Sequence, residues 1–301
     1  MKIKFLFFLS LCVLSINAQN FFTTIPDSAF EAYLEANQMG NSILNDNSVL
    51  TANINTVDTL NVSNLNIFDL TGIENFSSLQ HLNCSYNNID TLKLNSNEYL
   101  KYLDCSSNEL ALLLIDSLNA LDSLNCSFNN LSTLDVSALD LYILQCEHNP
   151  ITNIDLTNNV SLKHLTCHDN FLQTINLNSN TNLEWLSIKN SDLLPPNNDI
   201  SILDLSVNCN ITNFYCNNNL NLYCIQVCDS VMAINNWIYN IDSQQYFLED
   251  CNYTSMNESD KNSGKIISIK DIYGRESYLR KNVLLFYIYE NGTIEKKIIS
   301  Q

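Results

Sequence analysis

The sequence predicts a solenoid: a β-rich stack of coils of about 21 residues sharing one parallel sheet, with little helix, an N-terminal helical cap and a small C-terminal β module. Three observations predict it. First, the phrase L-x-x-L-x-C-x-x-N-x-L occurs at Leu79, Leu82, Cys84, Asn87 and Ile89, again from Leu100 to Leu110, and restarts at Leu121, Leu141 and Leu162. Its cysteines, Cys84, Cys105, Cys126, Cys146 and Cys167, are spaced 21, 21, 20 and 21 residues apart, and a fixed period of that size marks stacked repeats. Second, Leu82 and Cys84 are two residues apart, so in a strand both point inward while His81, Asn83 and Ser85 point outward. Third, each repeat carries a second apolar pair: Leu92 and Leu94, Leu134 and Val136, Ile154 and Leu156, Ile175 and Leu177.

One coil buries some six apolar side chains, roughly 1.5–3 kcal/mol each, against backbone ordering of about 1–2 kcal/mol per residue. No coil stands alone, and stacking has to cover its open faces. The column Asn87, Asn108, Asn129, Asn149 and Asn170 is placed to bond backbone groups left over at the bend after each strand. Neighbouring strands lie about 4.8 Å apart, whereas a disulfide wants Cβ atoms about 3.8 Å apart. The ladder cysteines are therefore expected as buried thiols packing like small hydrophobes. On these residues the chain resembles a leucine-rich repeat of the α/β-type class, with cysteine in the last apolar strand position. Asp69-Leu70-Thr71-Gly72-Ile73 resembles the internalin-type variant.

In chain order, residues 1–18 combine Lys2 and Lys4 with an apolar run ending at Asn17-Ala18, which predicts a secretory signal too short to span a bilayer. Residues 19–56 are expected to form the cap. Asp27 is its N-cap, and Phe30, Tyr33 and Leu34 form an apolar helical stripe ending near Gly40. The repeats occupy 57–222, opening with a cysteine-free coil of Leu60, Val62, Ile67, Leu70, Ile73 and Phe76. After Leu177 the pattern loosens: Ile188 takes the cysteine position, Ser191 stands where asparagine is expected, and an insertion from Asp192 to Asp199 is predicted to bulge as a loop. A last coil follows at Ile211, Phe214, Cys216 and Asn219.

Residues 223–252, with Cys224-Ile225-Gln226-Val227, Trp237 and Glu249-Asp250-Cys251, resemble the terminal cap of secreted leucine-rich-repeat proteins of Bacteroidota. Cys209, Cys224, Cys228 and Cys251 lie off the ladder and allow three pairings. Cys224 with Cys251 is favoured because it closes the cap, leaving Cys209 with Cys228. Residues 253–264 are a polar linker. Residues 265–301 read as strands, Ile266 to Ile272, Leu284 to Glu290 and Thr293 to Ile299, the last two joined by Asn291-Gly292, a strong hairpin signal. Ile272-Tyr273-Gly274-Arg275-Glu276 and the run Glu290 to Ile299 resemble a short form of the type IX secretion C-terminal sorting domain. That resemblance implies a contact with secretion machinery and a location outside the cell or on its outer surface.

Charge is divided unevenly. Residues 19–260 carry 28 Asp or Glu against four Lys, whereas 261–301 carry eight Lys or Arg against four acids. Such an acidic body argues against nucleic acid and favours cations or basic partners. The exposed strand positions form three columns: one from His81 and Tyr102 to His164 and Trp185; one with Asp104, Gln145 and Tyr215; one running Ser85, Ser106, Ser127, Glu147, His168, Lys189. Aromatic and histidine side chains on a flat sheet suit an interface. The expected binding face is thus His81, Tyr102, Asp104, Gln145, Glu147, His164, His168, Trp185, Lys189 and Tyr215, taking a protein or glycan ligand at a cell surface.

No catalytic residue, cofactor, metal or membrane span is expected. Motifs such as G-x-S-x-G, H-E-x-x-H and the P-loop are lacking. Glu147, His148, His164, His168 and Asp169 are the only metal-like cluster, but His164 and His168 lie roughly 13 Å apart along an extended strand, too far for one ion, while Glu147 and His168 are adjacent across strands and could pair. Asp104 and Glu147, about 10 Å apart by strand spacing, are marginal even for an inverting glycosidase. An extracellular glycan hydrolase and a structural surface-layer component are the alternatives.

Overall fold

A computed structural model describes residues 21–191, 197–251, 266–270, 274–275, 277, 284–289 and 294–298. The expected signal (1–18), the linker (253–264), the Pro195-Pro196 part of the insertion and the Asn291-Gly292 turn lie outside the described residues.

Eight three-residue strands pair in parallel, in chain order, into one sheet: Thr59–Asn61, His81–Asn83, Tyr102–Asp104, Ser123–Asn125, Ile143–Gln145, His164–Thr166, Trp185–Ser187 and Asn213–Tyr215. Their register places Leu60, Leu82, Leu103, Leu124, Leu144, Leu165, Leu186 and Phe214 in one inward row, all buried. Each ladder cysteine extends the sheet by one bond: Cys84 N–H donates to the Asp104 carbonyl at 2.8 Å and Cys105 N–H to that of Asn125 at 2.9 Å. The thiols of Cys84, Cys105, Cys126, Cys146, Cys167 and Cys216 are buried and unlinked, and burial raises their pKa far above the ordinary thiol value. Leu92, Leu94, Leu134, Val136, Ile154, Leu156 and Leu177 fill the core from the opposite side. Among the described residues, strands there pair between Thr91–Lys93 and Leu112–Leu114, and in the set Leu203–Leu205, Cys224–Val227 and Tyr246–Leu248.

The bend after each of the five ladder strands is made by a residue with positive φ, Tyr86, Ser107, Phe128, His148 and Asp169 at 51–55°. The following asparagine ties the turns together. Asn129 accepts from Leu110 N–H at 2.9 Å and donates to the carbonyls of Cys105 and Cys126 at 3.0 and 3.1 Å. Asn149 and Asn170 repeat this arrangement. At the loosened coil the expectation of a lost asparagine is corrected. Asn198, arriving from beyond the insertion, accepts from Leu172 N–H and donates to the Cys167 carbonyl, both at 3.0 Å, while Asn190 holds Asn198 in place. The slot is refilled because otherwise two buried backbone groups would lack partners. A second asparagine column not expected from the sequence, Asn97, Asn159, Asn180 and Asn208, is buried on the other side and donates to carbonyls of the preceding coil.

At the N-terminal end the helix runs Ser28–Ala36, ending before Gly40. Asp27 caps it, accepting from Ala29 and Phe30 N–H at 2.9 Å, and its second oxygen accepts from Phe68 N–H at 2.8 Å, fastening the cap to the first coil. An antiparallel pair unforeseen in the sequence, Phe22–Thr24 with Ser48–Leu50, completes the cap. Gly72 sits at φ 103°, and a Cβ there would lie 2.8 Å from the Thr24 carbonyl oxygen.

The C-terminal cap contains a helix, Ser230–Trp237, also not expected, N-capped by Asp229. Its Trp237 packs with Phe214 and Phe247 over the last coil. Cys224 and Cys251 are joined by a disulfide with Cα atoms 5.9 Å apart. The expected Cys209–Cys228 pairing is corrected: both are thiols lying near each other without a bond, and burial together with the neighbouring Cys209 thiol pushes Cys228 up to about 11. The tail strands Ile266–Lys270, Leu284–Tyr289 and Ile294–Ile298 form a separate antiparallel sheet with its own small core of Leu285, Tyr287 and Tyr289.

Candidate functional site

Strand register brings the expected columns together. His81 lies beside Tyr102, and His164 between Ile143 and Trp185. In the next column Asp104 pairs with Asn125, which faces Gln145, and Ser187 faces Tyr215. His81, Tyr102 and Lys189 are exposed; Asp104, Gln145, Glu147, His164, His168, Trp185 and Tyr215 are half-buried. The rings concentrate at one end. His164 stacks on Trp185 with centroids 5.1 Å apart and planes 7° apart, and Trp185 lies 5.4 Å from Tyr215. The Trp185 Nε1–H is buried with no hydrogen-bond partner. His81 and Tyr102 make a looser contact at 6.5 Å.

The third column differs from its expected exposure in the early coils. Ser85, Ser106 and Ser127 are buried, because each folds back to donate through N–H and Oγ–H to the Oδ1 of Asn83, Asp104 or Asn125. Asp104 is thereby occupied in ending its own strand. From Cys146 onward that local bond is absent from the third column, and Glu147 and His168 replace serine. Glu147 does not pair with His168; its carboxylate accepts from the Thr166 hydroxyl.

Histidine geometry also departs from the expectation. The residues two past each cysteine form a fourth column, Tyr86, Ser107, Phe128, His148 and Asp169, lifted by the positive-φ bend. Tyr86 and Phe128 are exposed, and His148 stacks on Phe128 with centroids 4.2 Å apart. Asp169 is buried. Its Oδ2 lies 2.8 Å from His168 Nδ1 and 3.3 Å from His148 Nε2, and its Oδ1 accepts from Ser191 N–H. Burial costs this carboxylate, but bonds from His168 and Ser191 and the charge of His148 outweigh that and hold its pKa below the usual value. Burial lowers the pKa of His148 and of His164. Shifting the repeat register by one residue would have revealed this column.

Among the described residues, no helix is long and apolar enough to cross a membrane. No protein-family model matches the chain, and no curated protein matches its sequence. Solved structures do match. An internalin, InlF, from Listeria monocytogenes aligns at 19% identity over 75% of this chain and 69% of that one, TM-score 0.54. Internalin C2 from the same organism aligns at 20% identity over 70% of this chain and 100% of that one, TM-score 0.53. The functional domain of Listeria monocytogenes InlJ, described as including a cysteine ladder, aligns at 24% identity over 76% of this chain, TM-score 0.47; the chain spans 61% of that domain's length. Together with the parallel sheet and the stacked coils, the two internalin matches establish the fold as a leucine-rich-repeat solenoid of internalin-like architecture.

Proposed function

We propose that the chain is a non-catalytic, adhesion-type binding protein, secreted or held at the outer cell surface, that takes a protein partner on the exposed strand face. The observation that carries this reading is the run His164, Trp185 and Tyr215, three rings in contact on a flat sheet. Rigid aromatic area is what interface anchors consist of. The acidic body favours a basic rim on the partner. The internalin likeness supports the same reading through the fold. A protein-binding reading is tested by pull-down with the full chain and a Tyr102→Ala, Trp185→Ala double variant. Loss of a captured protein at unchanged melting temperature is expected; equal capture would reject this face.

Glycan is the other ligand this face could take, and a glycan panel separates three outcomes: binding to sugars alone, turnover, or neither. Turnover lost in Asp104→Asn or Glu147→Gln would favour the hydrolase, although both carboxylates are engaged in local hydrogen bonds. Self-association without a foreign ligand would favour a surface-layer component. We further read the basic tail as the part that secretion machinery recognises, in a bacterium of the Bacteroidota type. The antiparallel tail sheet is compatible with a compact export module. Deleting residues 261–301 is expected to trap the protein in the periplasm, and unchanged surface delivery would reject the sorting role.

A further inference from the structure

We propose that His148, His168 and Asp169 form a binding site for one divalent transition-metal ion of the zinc class. One nitrogen from each histidine and one Asp169 oxygen all lie within 4.8 Å of one another. The individual distances from Oδ2, 2.8 Å to His168 Nδ1 and 3.3 Å to His148 Nε2, approach the roughly 3.3 Å edge of a tetrahedron whose donors sit about 2.0–2.1 Å from zinc. Two imidazoles and one carboxylate suit zinc, copper, nickel or cobalt rather than calcium or magnesium. Three protein ligands leave one position of a tetrahedral ion for water or for a donor from a partner.

The scaffold explains how the three donors meet and does not explain why they are there. His148 and Asp169 occupy the same positive-φ bend on successive coils, at φ 53° and 51°, so stacking alone puts them side by side. His168 precedes Asp169 at the position where earlier coils use serine to end the strand. Three of the chain's four histidines fall on these two coils. The ligands are also supported from behind: Phe128 stacks on the His148 ring, and Ser191 N–H holds Asp169 Oδ1, turning Oδ2 toward the histidines. Glu147 adds a second anion within electrostatic range of His148, and Lys189 a cation that partly offsets it. The site stands independently of the strand-face proposal, since neither Trp185 nor Tyr215 takes part.

The test is calorimetric titration of zinc into the full chain, disulfide intact and stripped by chelator, with excess calcium and magnesium present. One ion per chain is expected, and His148→Gln and His168→Gln are each expected to weaken binding by at least the roughly 10–100-fold that loss of a supporting partner costs. His148 is partly exposed, so its variant is expected to keep the fold where Asp169→Asn endangers it, and circular dichroism is the check. Cobalt substituted for zinc is expected to give a d–d spectrum without a thiolate charge-transfer band. Three results would overturn the proposal: no saturable binding, binding unchanged in both histidine variants, or binding lost instead in Cys209→Ser.

Discussion

The coils carrying Cys84, Cys105 and Cys126 and those carrying Cys146 and Cys167 share one interior and differ outside. Inside, both sets stack leucine on leucine, thiol above thiol, and a bifunctional asparagine at the bend. Outside, the early coils close each strand with an Asn or Asp oxygen and a serine. The later ones present Glu147, His148, His164, His168 and Asp169, followed by Trp185. The early coils fold without those side chains, although Asp169 also holds the Ser191 N–H. Both the proposed binding face and the proposed metal site fall on this difference.

Four experiments break or sharpen that contrast. The largest effect is expected inside, where the two regions are equivalent: Leu124→Ala and Leu165→Ala are each predicted to cost about 2–5 kcal/mol by urea denaturation, with similar values for both. A cost confined to one would mean the interior is not uniform. Next come Asn129→Ala and Asn149→Ala, which leave buried backbone groups unpaired at about 1–3 kcal/mol per group. Asn198→Ala is expected to match them, because Asn198 fills the same slot. Removing the Asp27 cap with Asp27→Ala is predicted to cost about 1 kcal/mol for the helix, plus the Phe68 bond to the first coil; thermal melting measures it.

The smallest effect is the pH dependence that the later coils contribute. Burial depresses the folded pKa of His148 and His164 below 6.5, so the unfolded chain takes up those protons first. Their contribution is complete above pH 6.5 and is lost as pH falls through the folded pKa. The Asp169 pKa is lowered from 3.8, so its contribution is complete above that pH and fades further into acid. A urea midpoint that drops between pH 7.5 and 5, and drops less in His148→Gln, is the expected result. An unchanged slope would contradict it.

Much of the fold was legible because a period of 21 residues repeats the same physical problem. Every ladder coil must bury Leu and Cys and satisfy one bend, so position alone assigns each residue its role. Where the period breaks, legibility falls. Ser191 looked like a lost asparagine because the replacement, Asn198, lies beyond an insertion, and only the coil geometry brings it back. The strand pair of the N-terminal cap was missed because Phe22–Thr24 and Ser48–Leu50 are short and far apart in the chain. Asp229 before Ser-Val-Met-Ala was a readable cap signal for the Ser230–Trp237 helix. At the candidate site, the strand columns followed from alternation, but Asp169 meeting His148 did not. Their closeness depends on a left-handed bend that turns alternation off.

The most direct test labels the thiols of the native protein. In a Cys209→Ser, Cys228→Ser background that keeps the Cys224–Cys251 disulfide, a maleimide dye applied without denaturant is expected to leave Cys84, Cys105, Cys126, Cys146 and Cys167 unmodified, with labelling appearing only as urea unfolds the chain. Rapid labelling of Cys105, Cys126 and Cys146 in the folded state would contradict the stacked, dry interior on which both outer surfaces are built.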